Sequence, residues 1–143
     1  MNHYELWFKR VVLFGVLANW TFSLVALTAP DTLLSTLNLG TVESTVWLTN
    51  YSFLLILLSC FYIPAALNPR RYIVNSWLLI ASRLIPATTF FVGTFIGDMP
   101  KGFVTLGLGD FSIGCIEGIL LILLLRKETL EADTSSKPLT VAK

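Results

Sequence analysis

The chain has 143 residues, of which 55% are hydrophobic and only 13% are charged, with a mean hydropathy of +0.73 and a formal net charge of +1. A water-soluble domain usually carries about 25% charged residues, so this composition excludes an ordinary soluble globule and indicates an integral membrane protein. The net charge says nothing about nucleic acid, but the sequence has no basic stripe, so we expect no nucleic-acid partner.

Four segments are long and apolar enough to cross a bilayer, which takes about 20 residues. We predict spanning helices over residues 11–29, 45–67, 72–96 and 103–125. Short connections make successive helices antiparallel neighbours, so the predicted fold is all-α, a compact antiparallel four-helix transmembrane bundle. This domain covers residues 1–127, and the polar segment 128–143 is predicted to be a disordered tail.

The connection between the first two spans carries its own helical signal. After Pro30, the segment PDTLLSTLNLG has leucines at helical spacing. This pattern predicts a short amphipathic helix that lies on the membrane surface. Asp31 is predicted to cap this helix or to stand in its first turn.

Basic residues are distributed unequally between the two ends of the predicted spans. Lys101 is alone on one side, and three pairs fall on the other, namely Lys9 and Arg10, Arg70 and Arg71, and Arg126 and Lys127. The cytoplasmic ends of membrane spans are enriched in Lys and Arg. Both termini, and the tail 128–143, are therefore predicted to be cytoplasmic.

The fourth span carries two acids inside an apolar run. Its sequence, LGLGDFSIGCIEGILLILLLRK, contains Asp110 and Glu117, whose spacing puts them on one helix face about 10 Å apart. A charged side chain at the centre of a bilayer costs at least about 2.5 kcal/mol, so such residues face the protein interior and pair with another group. We therefore expect both acids to lie inside the bundle.

Arg83, in SRLIPATTF, is the only base in the interior of a predicted span. A helical rise of about 1.5 Å per residue places Arg83 between the depths of Glu117 and Asp110. Its planar guanidinium can pair with either carboxylate, and we expect it to pair with one of them. The other acid must then be protonated, or be balanced by a cation or by a base from a partner.

Two asparagines fall at similar depths. Asn19 lies near the depth of Glu117, and Asn50 lies near the depth of Asp110. These depths predict two polar layers, one of Asn19, Arg83 and Glu117 and one of Asn50 and Asp110. Such groups either fix the register of the helices alone or line a site for a ligand, an ion or a partner subunit.

Glycine and proline spacings indicate where the helices approach and bend. Gly107 and Gly114 continue the face that carries the two acids, and Gly114 and Gly118 form a small-xxx-small pair. We expect these glycines to pack against a neighbouring helix. Pro86 follows Arg83 closely and is predicted to interrupt the third span, freeing the carbonyl of Ser82 for the guanidinium.

Motifs of well-understood enzymes are missing from the sequence. It has no P-loop, no GxSxG, no paired histidine ligands and no Cys-x-x-Cys. The single histidine is His3, and Cys60 and Cys115 lie in apolar runs, where unpaired thiols are expected. We therefore predict no catalytic residues, no metal or haem site and no cofactor.

Three stretches carry a resemblance to a known family. The turn FYIPAALNPRRY, the arginine of RLIPA and the helix GDFSIGCIEGILL resemble small bacterial four-helix membrane proteins of the DoxX-like type, over roughly residues 7–126. Some members of such families resemble subunits of membrane oxidoreductase systems. The resemblance implies the bacterial inner membrane as location and an accessory role, and it implies no catalytic residues.

Three functions are consistent with these residues. The leading hypothesis is a non-catalytic membrane protein that acts as an accessory or interaction subunit, with the bilayer and another subunit or a second copy as partners. The second is a bundle that binds a small apolar molecule or a lipid, or isomerises it by acid–base chemistry at Asp110 and Glu117. The third is a proton or solute pathway in an oligomer.

The first two hypotheses predict different cores. A closed core, in which Arg83 touches an acid and no cavity adjoins it, favours a purely structural role for these polar residues. An apolar cavity of roughly 300 Å³ or more that opens onto both acids favours ligand binding.

Overall fold

The structure, a computed structural model, describes residues 3–41 and 43–136. Within these ranges it contains no strand and five helices, which are α1 (His3–Thr28), α2 (Pro30–Thr36), α3 (Val46–Leu67), α4 (Ile73–Phe95) and α5 (Gly102–Ser136). Four stretches are long and apolar enough to cross a membrane, namely α1, α3, α4 and the Gly102–Lys127 part of α5. The prediction of an all-α chain with four candidate spans is therefore confirmed.

The helix ends follow from local chain chemistry. Pro30 stands in the first turn of α2, where its missing N–H removes no helical hydrogen bond. Helix α2 is the short helix predicted between the first two spans, and Asp31 lies in its first turn. Helix α3 ends at Leu67, because Pro69 disfavours the helical conformation for Asn68.

Two of the long helices extend beyond the predicted spans. Helix α1 begins at His3, so it includes Phe8, whose side chain is completely buried. Helix α5 continues to Ser136, so the first part of the segment predicted as a disordered tail is helical. Residues 137–143 lie outside the described residues, and their disorder stays a prediction.

Pro86 does not interrupt the helix that contains it. Helix α4 is continuous from Ile73 to Phe95, with Pro86 in its interior. A proline inside a membrane span loses one backbone hydrogen bond, and neighbouring groups can satisfy the freed carbonyl. In the described part of the chain the Arg83 guanidinium bonds to Asp110 and not to the carbonyl of Ser82.

The four long helices contact one another in a ring, in which α1 packs on α3, α3 on α4, α4 on α5 and α5 on α1. Buried hydroxyl groups lie inside this ring, on Ser23, Ser52, Ser59 and Ser76. Large apolar side chains cover its outer surface, among them Phe14, Leu54, Ile85 and Ile119. This distribution suits a lipid-facing exterior, since lipid tails favour apolar contact and small residues let helices approach closely.

An apolar core lies at the end of the ring where α1 begins. Its fully buried side chains are Phe8, Val12, Leu79, Leu121 and Leu124. At the same end, Arg70 Nη2 lies 3.8 Å from Glu5 Oε2 and joins α1 to the turn between α3 and α4. The core and this surface ion pair therefore bring α1 together with the end of α3 and the beginning of α4.

Close backbone contact determines the residue at the start of α5. A Cβ atom at Gly102 would overlap with the carbonyl oxygens of Leu37 and Asn38. Since backbone atoms cannot retreat as a flexible side chain can, only glycine fits here without a shift of α5. The connection after α2 is thereby packed directly against the beginning of the fourth span.

Candidate functional site

Arg83 reaches from α4 to both acids of α5. Its Nη1 donates a hydrogen bond of 3.1 Å to Asp110 Oδ1, and its Nε lies 3.2 Å from Glu117 Oε2. We call Arg83, Asp110 and Glu117 the ionic cluster. The expectation that the arginine pairs with only one of the acids was wrong, because its long fork spans the distance between carboxylates two helical turns apart.

The three members of the ionic cluster differ in burial. Arg83 is 2% exposed and Glu117 is 0% exposed, whereas the side chain of Asp110 keeps 28% of its exposure. Among the described residues, Nε and Nη2 of Arg83 and both carboxylate oxygens of Glu117 lack a hydrogen-bond partner. The contact between Nε and Oε2 is thus an ion pair without hydrogen-bond alignment, and Coulomb attraction holds it in the low-dielectric interior.

The guanidinium lies against the backbone of α1 at Gly15. A Cβ atom at this position would lie 2.9 Å from Arg83 Cζ and would overlap with Nη2. Sequence analysis missed Gly15, although a glycine inside an apolar helix costs about 0.5–1 kcal/mol relative to alanine and so signals a close approach. That signal indicates a close approach, and only the packing shows that Arg83 is the group that approaches.

Tyr62 of α3 is a second contact that the sequence analysis missed. Its ring centroid lies 5.7 Å from Arg83 Cζ, which is a cation–π distance. The Tyr62 and Ser82 hydroxyl oxygens are 2.5 Å apart, and Ser82 Oγ donates to the carbonyl of Leu79. With Gly15 on α1, Tyr62 on α3 and the two acids on α5, Arg83 contacts all three of the other spans.

A partly open cavity of about 210 Å³ adjoins the ionic cluster. Arg83 and Asp110 are part of its lining, and Glu117 is not. The rest of the lining includes Asn19, Phe22, Tyr51 and Phe90. The cavity is smaller than roughly 300 Å³ and borders only one of the two acids. The core is therefore neither fully closed nor open to both acids.

The structure brings one of the two predicted asparagines to the site. Asn19 lines the cavity, and its Nδ2 donates a hydrogen bond of 3.0 Å to Ser59 Oγ. Asn50 is exposed, does not line the cavity and has no hydrogen bond to Asp110 within the described ranges. Depth along a span does not fix the side of the helix, and the next residue, Tyr51, is the one that lines the cavity.

The predicted packing glycines differ in how closely α4 approaches them. A Cβ atom at Gly107 would lie 3.0 Å from the Phe91 ring, and one at Gly114 would lie 3.2 Å from Arg83 Cβ. At Gly118 the nearest atom would be 3.8 Å away, an ordinary van der Waals distance. Gly107 and Gly114 therefore permit the close packing of α5 on α4, and Gly118 is not needed for it.

Metal-ligating side chains and cysteines are not clustered in the described part of the chain. Within the described residues, no three His, Cys, Asp or Glu side chains are placed to hold a metal ion. Cys60 and Cys115 are both unpaired.

No protein-family model matches the chain, and no curated protein or solved structure matches it either. The chain is thus defined by its own features, as an all-helical protein with four candidate membrane spans and a buried cluster of one arginine and two acids. The resemblance to DoxX-like proteins stays a prediction.

Proposed function

We propose that this chain is a non-catalytic integral membrane protein that acts as an accessory or interaction subunit, and that its ionic cluster holds the spans together. The observation that carries this proposal is that Arg83 contacts all three other spans while Glu117 is completely enclosed. A general acid or base must come within hydrogen-bond reach of its substrate. Glu117 cannot do so in this packing, which argues against a mechanism that needs both acids.

In this proposal the spans form a compact antiparallel four-helix bundle in the bacterial inner membrane, with both termini in the cytoplasm. The ring of helix contacts supports the bundle. The ion pair of Glu5 with Arg70 is a contact that an antiparallel order of α1 and α3 would produce. The three pairs of basic residues support the orientation.

Native co-purification with mass spectrometry tests the accessory function. After extraction of the tagged chain from native membranes in a mild detergent, we expect a second membrane polypeptide, or a second copy, at a fixed stoichiometry. An unrelated four-span protein with the same tag, purified in parallel, removes the non-specific companions. A chain that is recovered only as a monomer without any protein companion would contradict the proposal.

A second candidate function is the binding of a small, largely apolar molecule, and the cavity beside Asp110 favours it. Its volume of about 210 Å³ suits a molecule much smaller than a lipid. The same mass spectra test this function, since they would show a retained small molecule on the chain.

A further inference from the structure

The cavity beside the ionic cluster exposes one carboxylate that the protein satisfies only in part. Asp110 Oδ1 accepts the hydrogen bond from Arg83, whereas no hydrogen bond to Oδ2 occurs among the described residues. The side chain borders the cavity and keeps 28% of its exposure. A ligand in the cavity can therefore reach Asp110 and offer it a hydrogen-bond donor.

The charges of the ionic cluster do not cancel. Arg83 supplies one positive charge against the two negative charges of ionised Asp110 and Glu117, which leaves a formal charge of −1. The two acids share the one guanidinium, since Nε lies 3.2 Å from Glu117 Oε2 and Nη1 donates to Asp110 Oδ1. Glu117 is enclosed, so Asp110 is the acid of the cluster at which a cation in the cavity can balance this charge, and low dielectric strengthens the attraction.

Aromatic side chains form part of the cavity lining. Phe22 and Tyr51 meet edge to face with their ring centroids 6.4 Å apart, and Phe90 also lines the space. The faces of aromatic rings attract cations, and the same rings accommodate an apolar body. The lining thus suits a molecule with one positive group and a hydrocarbon remainder.

We propose that the cavity binds a small organic monocation, an aliphatic or aromatic molecule that carries one protonated primary amine, with its ammonium group on Asp110. This inference rests on the second candidate function and names its ligand class. The ammonium donates to the free oxygen of Asp110 and supplies the missing positive charge. The volume of about 210 Å³ suits a ligand near the size of benzylamine.

Gly109 offers a way to fill the cavity without changing any charge. It lines the cavity, and a Cβ atom placed on it would meet no atom within 4 Å. The open position leaves room for a larger side chain, so we expect Gly109→Leu to narrow the cavity, and leucine also favours the helix more than glycine does. Ser112→Leu is the matched control on the same helix, because Ser112 is exposed and its hydroxyl donates to the carbonyl of Leu108 in the same helix.

The test measures the affinity of the purified chain in detergent for benzylamine and for benzyl alcohol, which has a similar body without the charge. We expect benzylamine to raise the unfolding temperature by a few degrees and to bind at least about tenfold more tightly than the alcohol. Gly109→Leu should abolish this binding and Ser112→Leu should retain it. Asp110→Asn should bring the two affinities close to equality.

Three other outcomes would each contradict a part of the inference. Equal affinities in the unsubstituted chain would overturn the preference for a cation and leave the binding of small molecules intact. Binding of neither compound would overturn the ligand class together with the second candidate function. Retention of the preference in Gly109→Leu would show that the amine binds outside this cavity, and would overturn the inference.

Discussion

Arg83→Gln should lower the free energy of unfolding by about 3–5 kcal/mol, which is the cost typical of leaving a buried ion pair without one partner. The substitution removes the contact to Glu117, a group with no exposure, and the hydrogen bond to Asp110 at the same time. Chemical or thermal unfolding of the purified chain in detergent measures the loss. The glutamine is neutral, so it cannot compensate either carboxylate.

Two further substitutions separate the charge of Arg83 from its shape. Arg83→Lys keeps the charge, but a single ammonium cannot replace a fork whose Nη1 and Nε contact different acids, so part of the loss should remain. Arg70→Gln is the control at a half-exposed arginine with a 3.8 Å pair, and should cost less than about 1 kcal/mol. If Arg83→Gln cost no more than Arg70→Gln, the buried cluster would not be stabilising the fold.

Gly15→Ala should destabilise the chain by about 1–3 kcal/mol, the range for an overpacked interior. The added methyl group would occupy the position of Arg83 Nη2. A flexible arginine could usually retreat, but here Asp110 and Glu117 hold the guanidinium, and a retreat weakens one of these contacts. Helix propensity alone predicts the opposite sign, because alanine favours a helix over glycine by about 1 kcal/mol.

Gly118→Ala is the matched control for this effect. Gly118 lies in the interior of α5, and the nearest atom to an added Cβ would be 3.8 Å away. The gain in helix propensity should therefore appear there as unchanged or slightly increased stability. Equal effects of the two substitutions on the unfolding temperature would show that the guanidinium does not press on Gly15, and would contradict the described packing.

The sequence predicted the helices of this fold well, because the membrane imposes a simple length and composition on each span. The four apolar runs, the short helix after Pro30 and the end of α3 before Pro69 all follow from that constraint and from proline geometry. The start of α1 was harder to predict. Residues such as Phe8 are buried by tertiary packing, and hydropathy windows do not register that packing.

The site was predictable in its charged members and not in its neutral ones. Arg83, Asp110 and Glu117 stand out in apolar spans, and the cost of an unpaired charge in lipid requires them to meet. Gly15 and Tyr62 carry no charge and are ordinary in a membrane helix, so only the packing reveals their contact with Arg83. Asn50 was predicted to join the site from its depth, but it is exposed, because depth does not determine which side of the helix a residue occupies.

Compensation of Glu117 by Arg83 is tested most directly by a double-mutant cycle with Arg83→Gln and Glu117→Gln, measured as unfolding free energies of the four proteins in detergent. The two groups lie 3.2 Å apart in the interior, so their effects should couple strongly. We expect the double mutant to be more stable than the sum of the single losses predicts, by about 1–3 kcal/mol. Losses that add within about 0.5 kcal/mol would contradict the pairing.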